Sequence, residues 1–303
     1  MFVEKRKSGE NILYYLVHSY REHGKVKKIR KYLGRNLSHT NLEKFKKIAE
    51  QQILEILDQF TTQIFEFSLS DKEITELNKF NDKIKLIHLY SKEWEQFTED
   101  FVFNTNAIEG STIAKDEVRS ILEKKKVTDP EEKETKGVAK AVEYIRKTKD
   151  DLSLSMIKKL HKLCFEDSKS YAGKFRDVEV VIRSGSGKIM HTGVPSEELK
   201  DYLNDFVEWY QDNKKKFKPL VLAAIIHNQF EYIHPFQDGN GRVGRLLLNF
   251  ILLKNKYPPI NILLKDRQEY YKTLYEYSAN HNLKPTLRFL IKQYKKTHVT
   301  TKK

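Results

Sequence analysis

Cys164 is the only cysteine among 303 residues, so no disulfide can form within the chain. A reducing, cytoplasmic compartment is the natural setting for such a sequence. Cys164 itself lies in the apolar stretch 160–165, which suits a buried structural thiol better than a nucleophile. Proline and glycine are scarce, at 7 and 12 residues, and that scarcity favours long uninterrupted helices. No segment reaches the ~20 consecutive apolar residues of a membrane span. The apolar run at 12–17 is too short for a secretion signal and lacks small-residue cleavage chemistry. Internal repeats, long low-complexity segments and a Walker A phosphate loop are also missing.

Charge is plentiful and unbalanced. There are 56 Lys and Arg against 42 Asp and Glu, for a formal net charge of +14. Residues 1–40 hold ten basic residues against three acidic ones, a net +7. Such a balance favours nucleic acid, nucleotides or acidic proteins as partners, or else marks a Lys-rich solvated surface. Only 39% of residues are hydrophobic, and 17 Phe and 16 Tyr supply much of the core-forming area.

Residues 11–20 and 26–33 read as strands around a glycine turn, a small basic β module. It suits a nucleic-acid-binding wing, a docking module or a sheet packed on the main domain. Helices are expected over 40–67, from 70 towards 90, over 93–108, 116–124, 137–149, 153–166, 196–213, 219–232, from the glycine loop to about 257, over 267–280 and 285–297. Gly110 suits a helix C-cap and Thr112 a following N-cap, while 126–135 reads as charged and irregular. Residues 179–182 and 188–190 suggest a short hairpin inside the helical region. The class is mainly α, with two small β additions. The expected division is a basic β-hairpin module at 1–36, a helical linker region at 37–90 and a principal domain at 91–297.

One stretch concentrates the chemistry, His234 to Arg245, set between two apolar runs that read as core helices. Gly239, Asn240 and Gly241 open a helix, where backbone N–H groups and the helix dipole favour an anion. Arg242 and Arg245 are three residues apart, share a helical face and can reach one polyphosphate. Asp238 is a hard oxygen ligand suited to Mg²⁺ with phosphates. His234 can accept a proton near neutral pH. Three other readings compete. Gly239-x-Gly-x-x-Gly244 with Asp266 formally matches a dinucleotide fingerprint, but the preceding residues look helical where that fingerprint needs a strand. His227, Glu231 and His234 at helical spacing can form a metal site. The loop can also be purely structural, its arginines paired with carboxylates.

The run His-Pro-Phe-x-Asp-Gly-Asn-Gly-Arg-x-x-Arg resembles, at every defining position, the signature of the Fic family of AMP-transferring enzymes. The resemblance extends over roughly 90–295, with Gly173-Lys-Phe-Arg176 and the Tyr270-Tyr271 pair as further parts. It implies a Fic-type helical bundle with a β-hairpin flap, plus the small N-terminal β-rich module. It also implies a protein adenylyltransferase that moves AMP from ATP to a Ser, Thr or Tyr hydroxyl of a target protein, the chain itself included. By the same resemblance His234 is the catalytic base and Asp238 holds Mg²⁺. Gly239, Asn240, Gly241, Arg242, Val243, Gly244 and Arg245 bind the phosphates, with Tyr270 and Tyr271 towards the nucleotide. Phe236 anchors the loop, and Val181, Ile182 and Arg183 form the flap that aligns a target segment. Residues 278–280 place no adenine-pocket amide unambiguously.

Thr105-x-x-x-Glu109-Gly110 resembles the inhibitory motif of the Fic subclass whose brake precedes the core, here a helix at about 93–109. Glu109 then competes with the ATP γ-phosphate for Arg245. The same pair can support the reverse reaction, removal of AMP. A reading of another class is a nucleic-acid-binding regulator whose Fic core senses nucleotide. No membrane partner is expected, and a homodimer is compatible with the sequence.

Overall fold

The computed structural model describes residues 1–22, 25–60, 69–183 and 189–298. Three antiparallel strands come first: β1 (Phe2–Ser8), β2 (Asn11–Glu22) and β3 (Lys25–Arg35), in the order β1-β2-β3. β1 was not expected. Its sequence, FVEKRKS, is too charged to read as a strand alone, and it forms by zipping onto β2 from Phe2↔Val17 to Ser8↔Asn11. Helix α1 (His39–Phe60) then packs on one sheet face. Leu16, Leu33, Ala49 and Ile53 form that small core, flanked by Val3, Tyr14, Ile29, Leu37 and Leu42. The sheet thus shares its core with a helix inside the expected linker region. Residues 61–67 of the first expected helix lie outside the described residues.

Helix α2 (Asp71–Asn78) is opened by a capping box, in which Ser70 and Glu73 satisfy each other's backbone donors. It continues only through a 3₁₀ turn at Lys79–Lys83, short of the expected end near 90. Side-chain demand explains the stop. Asn81 Oδ1 accepts from Leu220 N–H (2.9 Å) and its Nδ2 donates to Tyr257 Oη (2.9 Å), while Asn78 bonds Lys216 and Lys218 backbone. These contacts tie the entry segment to the start of a later helix.

The remaining helices are α3 (Ser91–Ile108), α4 (Glu117–Glu123), α5 (Pro130–Lys147), α6 (Leu154–Phe165), α7 (Leu199–Asn213), α8 (Pro219–Ile233), α9 (Asn240–Lys254), α10 (Arg267–Asn280) and α11 (Lys284–His298). Two expectations fail at the start of α5. Residues 130–135 are helical because Asp129 caps Glu132 N–H and Pro130 sits in the first turn. Thr112 caps nothing. Its N–H and hydroxyl instead donate to Glu131, also in α5, and α4 starts after Asp116 without a side-chain cap.

α8 and α9 are buried on nearly every side, the mark of central helices. One apolar cluster joins them to the surrounding helices. Cys164 lies within that cluster, where burial pushes its thiol up to about 12. The short hairpin β4 (Val181–Arg183) and β5 (Ile189–Thr192) pairs antiparallel beside the loop that joins α8 to α9. No helix among the described residues is long and apolar enough to cross a membrane.

Asn81 is 4% exposed and its amide meets two partners of different elements. Asn81→Ala is expected to lower the unfolding free energy by about 2 kcal/mol, since it leaves a buried N–H and a hydroxyl unpaired. Chemical denaturation checks this, and an unchanged midpoint would contradict it.

Candidate active site

Six residues, 234–239, turn the chain from α8 into α9. His234 ends α8 in the left-handed region (φ 52°, ψ 60°), an unfavourable place for a residue with a Cβ. Arg176 holds it there. Its Nε donates to His234 O (2.8 Å), its Nη1 to Val178 O (2.8 Å), and its Nη2 to Val194 O. Its own N–H donates to Pro235 O (2.9 Å). One buried side chain therefore clamps the loop, the end of α8 and the base of the hairpin. Gly193 completes this junction, because a Cβ there would come within 2.9 Å of Arg176 Nη2 and 3.2 Å of His234 Cβ.

Phe236 is fully buried and stacks on His161 of α6 (centroids 3.8 Å apart, 18° between planes). His161 Nδ1 accepts from Gly173 N–H (2.8 Å), so its proton sits on Nε2, which donates to Asp238 O (3.0 Å). Burial lowers the His161 imidazole to about 4, which keeps this tautomer neutral. Asn240 closes the loop from the other side: Phe236 N–H donates to its Oδ1 and its Nδ2 donates to Phe236 O, both at 2.8 Å. The Asn240 side chain thus shapes the loop rather than facing outwards to a phosphate. Gly239 (φ 81°) precedes α9, and a Cβ there would strike the Phe165 ring at 2.4 Å.

Four charges form a ring beside this loop. Arg242 Nη1 donates to Glu134, Glu134 lies 3.4 Å from Lys169, Lys169 lies 3.3 Å from Asp238, and Asp238 lies 3.6 Å from Arg242. Arg242 also sits over the Phe165 ring (4.3 Å). Desolvation pushes the Asp238 carboxyl up, but Arg242 and Lys169 outweigh it and hold it below the usual carboxylate range. Asp238 Oδ1 accepts from Gly239 N–H (2.7 Å), just before the first turn of α9.

Arg245 occupies a second, more deeply buried site, with 2% exposure. Thr105 and Glu109 meet it from α3, one helical turn apart and so on one face. Arg245 Nε donates to Thr105 Oγ1 (2.7 Å), and its Nη2 to Thr105 O (2.9 Å) and Glu109 Oε1 (2.7 Å). Desolvation opposes the charge, but Glu109, Tyr270 and Glu231 raise the guanidinium above its ordinary value. Glu109 is the C-cap just past the end of α3, and Gly110 (φ 100°) turns the chain away. The carboxylate lies over the first turn of α9, where a Cβ on Gly241 would be 2.2 Å from Oε1. Only glycine leaves that space. Val243 is buried in the core.

Tyr270 lies in the core, its hydroxyl 2.9 Å from His227 Nε2 and 3.5 Å from Arg245 Nη1. It supports the guanidinium and does not line an open nucleotide pocket. Tyr271 donates to Ile108 O (3.2 Å), fixing the end of α3. In the hairpin, Val181 is exposed, and the side chains of Ile182 and Arg183 lie outside the described residues.

Two of the three rival readings of the loop fail on this geometry, while the pairing of its arginines with carboxylates that the third requires is present. A helix, α8, precedes the glycines where a dinucleotide fold needs a strand, and Asp266 bonds Gln293 and Lys296. His227 faces Tyr270 while His234 Nδ1 lies 3.3 Å from Glu231 O. No group of three or more His, Cys, Asp or Glu among the described residues can hold a metal ion.

Sequence reasoning assigned no role to Arg176, His161, Glu134 or Lys169. Arg176 was singled out only as part of the Gly173–Arg176 run, and His161 carried no distinct signal. Glu134 and Lys169 carried none, since their partners are distant in sequence.

Glu231 and His227 are one turn apart on α8. Glu231 Oε1 and His227 Nδ1 are both buried without a hydrogen-bond partner and both crowd Gly244, at 2.4 and 3.1 Å from a Cβ placed there. Burial raises the Glu231 carboxyl to about 8 from 4.5 and lowers His227 to about 3 from 6.5. The native state therefore keeps a proton on Glu231 that the unfolded chain releases, and this contribution is lost as pH rises through about 8. The His227 contribution runs the other way and is lost as pH falls from 6.5 through about 3. Above 6.5 Glu231 acts alone. The melting temperature of the native chain is expected to fall relative to that of Glu231→Gln between about pH 6.5 and 8. A difference independent of pH would contradict a neutral buried carboxyl.

A sequence model of the Fic/DOC family matches residues 151–252, the segment that holds the loop, α6 and the hairpin. Protein adenylyltransferase Fic of Nematostella vectensis is 30% identical over 207 residues, covering 65% of this chain and 47% of that protein. Protein adenylyltransferase fic-1 of Caenorhabditis elegans is 32% identical over 203 residues, covering 63% and 39%. The chain spans less than half the length of these curated relatives. A Fic domain containing signaling protein from Bacteroides thetaiotaomicron shares the fold, with a TM-score of 0.62 at 24% identity over 74% of this chain and 93% of that one. The family model therefore falls on the segment that seats this loop, and over residues 151–252 the chain is similar to the Fic/DOC family.

Proposed function

We propose that the chain is a protein adenylyltransferase, held inactive by Glu109. The observation that carries this reading is the pairing of Glu109 with Arg245 at 2.7 Å, directly over the first turn of α9. ATP has its phosphates on that turn, where N–H groups and the helix dipole face an anion and no side chain caps them. The γ-phosphate takes Arg245 once Glu109 has moved away. Both are anions competing for one buried cation, so one excludes the other.

His234 is the base. Its Nδ1 lies 3.3 Å from the Glu231 carbonyl, which can only accept, so Nδ1 carries the proton and Nε2 is the nitrogen that takes another. A hydroxyl of the target protein gives its proton to Nε2, its oxygen bonds to the α-phosphorus, and the bond from that phosphorus to the β-phosphate oxygen breaks. The products are an AMP ester of the target and pyrophosphate. Positioning and charge stabilisation carry most of the acceleration. The Arg176 clamp keeps His234 in place, and Asn240 and Phe236 keep the loop in shape.

Mg²⁺ fits this arrangement. A partly exposed carboxylate, Asp238, stands just before the helix start, and Mg²⁺ commonly binds through one or two carboxylates together with substrate phosphates. Bound there, it would neutralise phosphate charge. Asp238 must then loosen its contacts with Lys169 and Arg242. The hairpin backbone at Val181–Arg183 can add a strand to an extended target segment. A cytoplasmic setting belongs to the same reading.

Incubation with labelled ATP and Mg²⁺ tests it. Glu109→Gly is expected to transfer label to protein at least about ten-fold faster than the native chain, given the strength of a charge-assisted pair. Glu109→Gly combined with His234→Ala is expected to transfer none. No gain with Glu109→Gly would remove the inhibitory role, and label retained without His234 would remove the base.

A further inference from the structure

The N-terminal sheet takes no part in the chemistry above, and only one of its faces packs on α1. Successive residues of a strand alternate between faces. Leu16, Leu33 and Ile29 point to α1, so Tyr15, Tyr32 and Arg30 share the opposite face. The register places Glu4, Tyr15 and Tyr32 in one cross-strand row, with Phe2, Val17 and Arg30 in the next. The Tyr15 and Tyr32 rings lie 5.3 Å apart. Tyr32 is 57% exposed, and Phe2 is also open to solvent.

Cations surround these rings. Arg6 sits over Tyr15, 5.4 Å from its centre. Lys28 and Arg30 precede Tyr32 at alternate positions of β3, and Arg35 lies opposite Leu13 beyond it. Arg6 and Arg30 share the single carboxylate of Glu4, at 2.9 and 3.2 Å. Among the described residues this face therefore carries four cations against one acid, with aromatic rings in the middle.

We propose that this face binds single-stranded nucleic acid. Unpaired bases stack on exposed aromatic rings, and basic side chains around them meet the phosphates. A duplex keeps its bases out of reach of a sheet surface and would use the cations alone. An acidic protein would have no use for the rings. The proposal is independent of AMP transfer, because none of these residues belongs to the loop or to α3.

Fluorescence anisotropy of the full chain with a labelled oligouridylate of about a dozen nucleotides tests it. Binding is expected to be tighter than to a duplex of the same length and to weaken roughly ten-fold or more between about 50 and 200 mM salt. Tyr32→Ala, an exposed position that leaves the fold intact, is expected to weaken it by roughly ten-fold. Lys28→Glu with Arg35→Glu is expected to weaken it and flatten its salt dependence. The proposal is overturned if no binding occurs at low salt, if the duplex binds as tightly, or if Tyr32→Ala changes nothing. It is also overturned if polyglutamate displaces the probe as well as unlabelled oligonucleotide does.

Discussion

A guanidinium with 2% exposure needs partners around it, and Arg245 draws them from two other helices. A buried charge left alone would be strongly destabilising. Thr105 and Glu109 answer it from α3, and Tyr270 supports it from α10. The need to satisfy this charge therefore fixes how α3 meets α9. It also places a carboxylate over the first turn of α9, where a bound anion would otherwise gain most. Stability and the proposed inhibition come from the same contact: the group that satisfies Arg245 in the resting state is the group a phosphate must displace.

Around that contact the molecule separates a rigid part from an adaptable one. The loop at 234–239 is held by the stack of Phe236 on His161, by the two hydrogen bonds of Asn240 and by the Arg176 clamp. Such redundancy keeps His234 in a backbone conformation it would not adopt unaided. Glu109 is held differently. It is the C-cap residue just past α3, its side chain is 30% exposed, and beyond it the chain turns at Gly110. A helix end frays more readily than a core loop moves, so the mobile member of the pair is the carboxylate. The charge ring of Glu134, Lys169, Asp238 and Arg242 is intermediate, with its two outer members accessible to solvent.

Much of this was legible in the residues. The period of apolar side chains located most helices, and the His234–Arg245 run declared itself because its residue types are chemically unusual side by side. Thr105 and Glu109 were legible as a pair only through their resemblance to the inhibitory motif, and the structure puts both on Arg245. What escaped was long-range. β1 forms only because β2 offers it a register, and α5 begins earlier than its charge suggested because Asp129 and Pro130 cap it. Arg176 and His161 act on residues about sixty and eighty positions away, and no local pattern encodes that. Tyr270 showed the opposite failure. The motif drew it towards the nucleotide, while packing placed it beneath Arg245.

The most direct measurement of the central claim is a pair of nucleotide affinities, for ATP and for AMP, by calorimetry in the native chain and in Glu109→Gly. If Glu109 occupies the place of the γ-phosphate, removing it should tighten ATP binding clearly and leave AMP binding, which has no γ-phosphate, almost unchanged. Equal gains for both nucleotides, or none for either, would contradict the account.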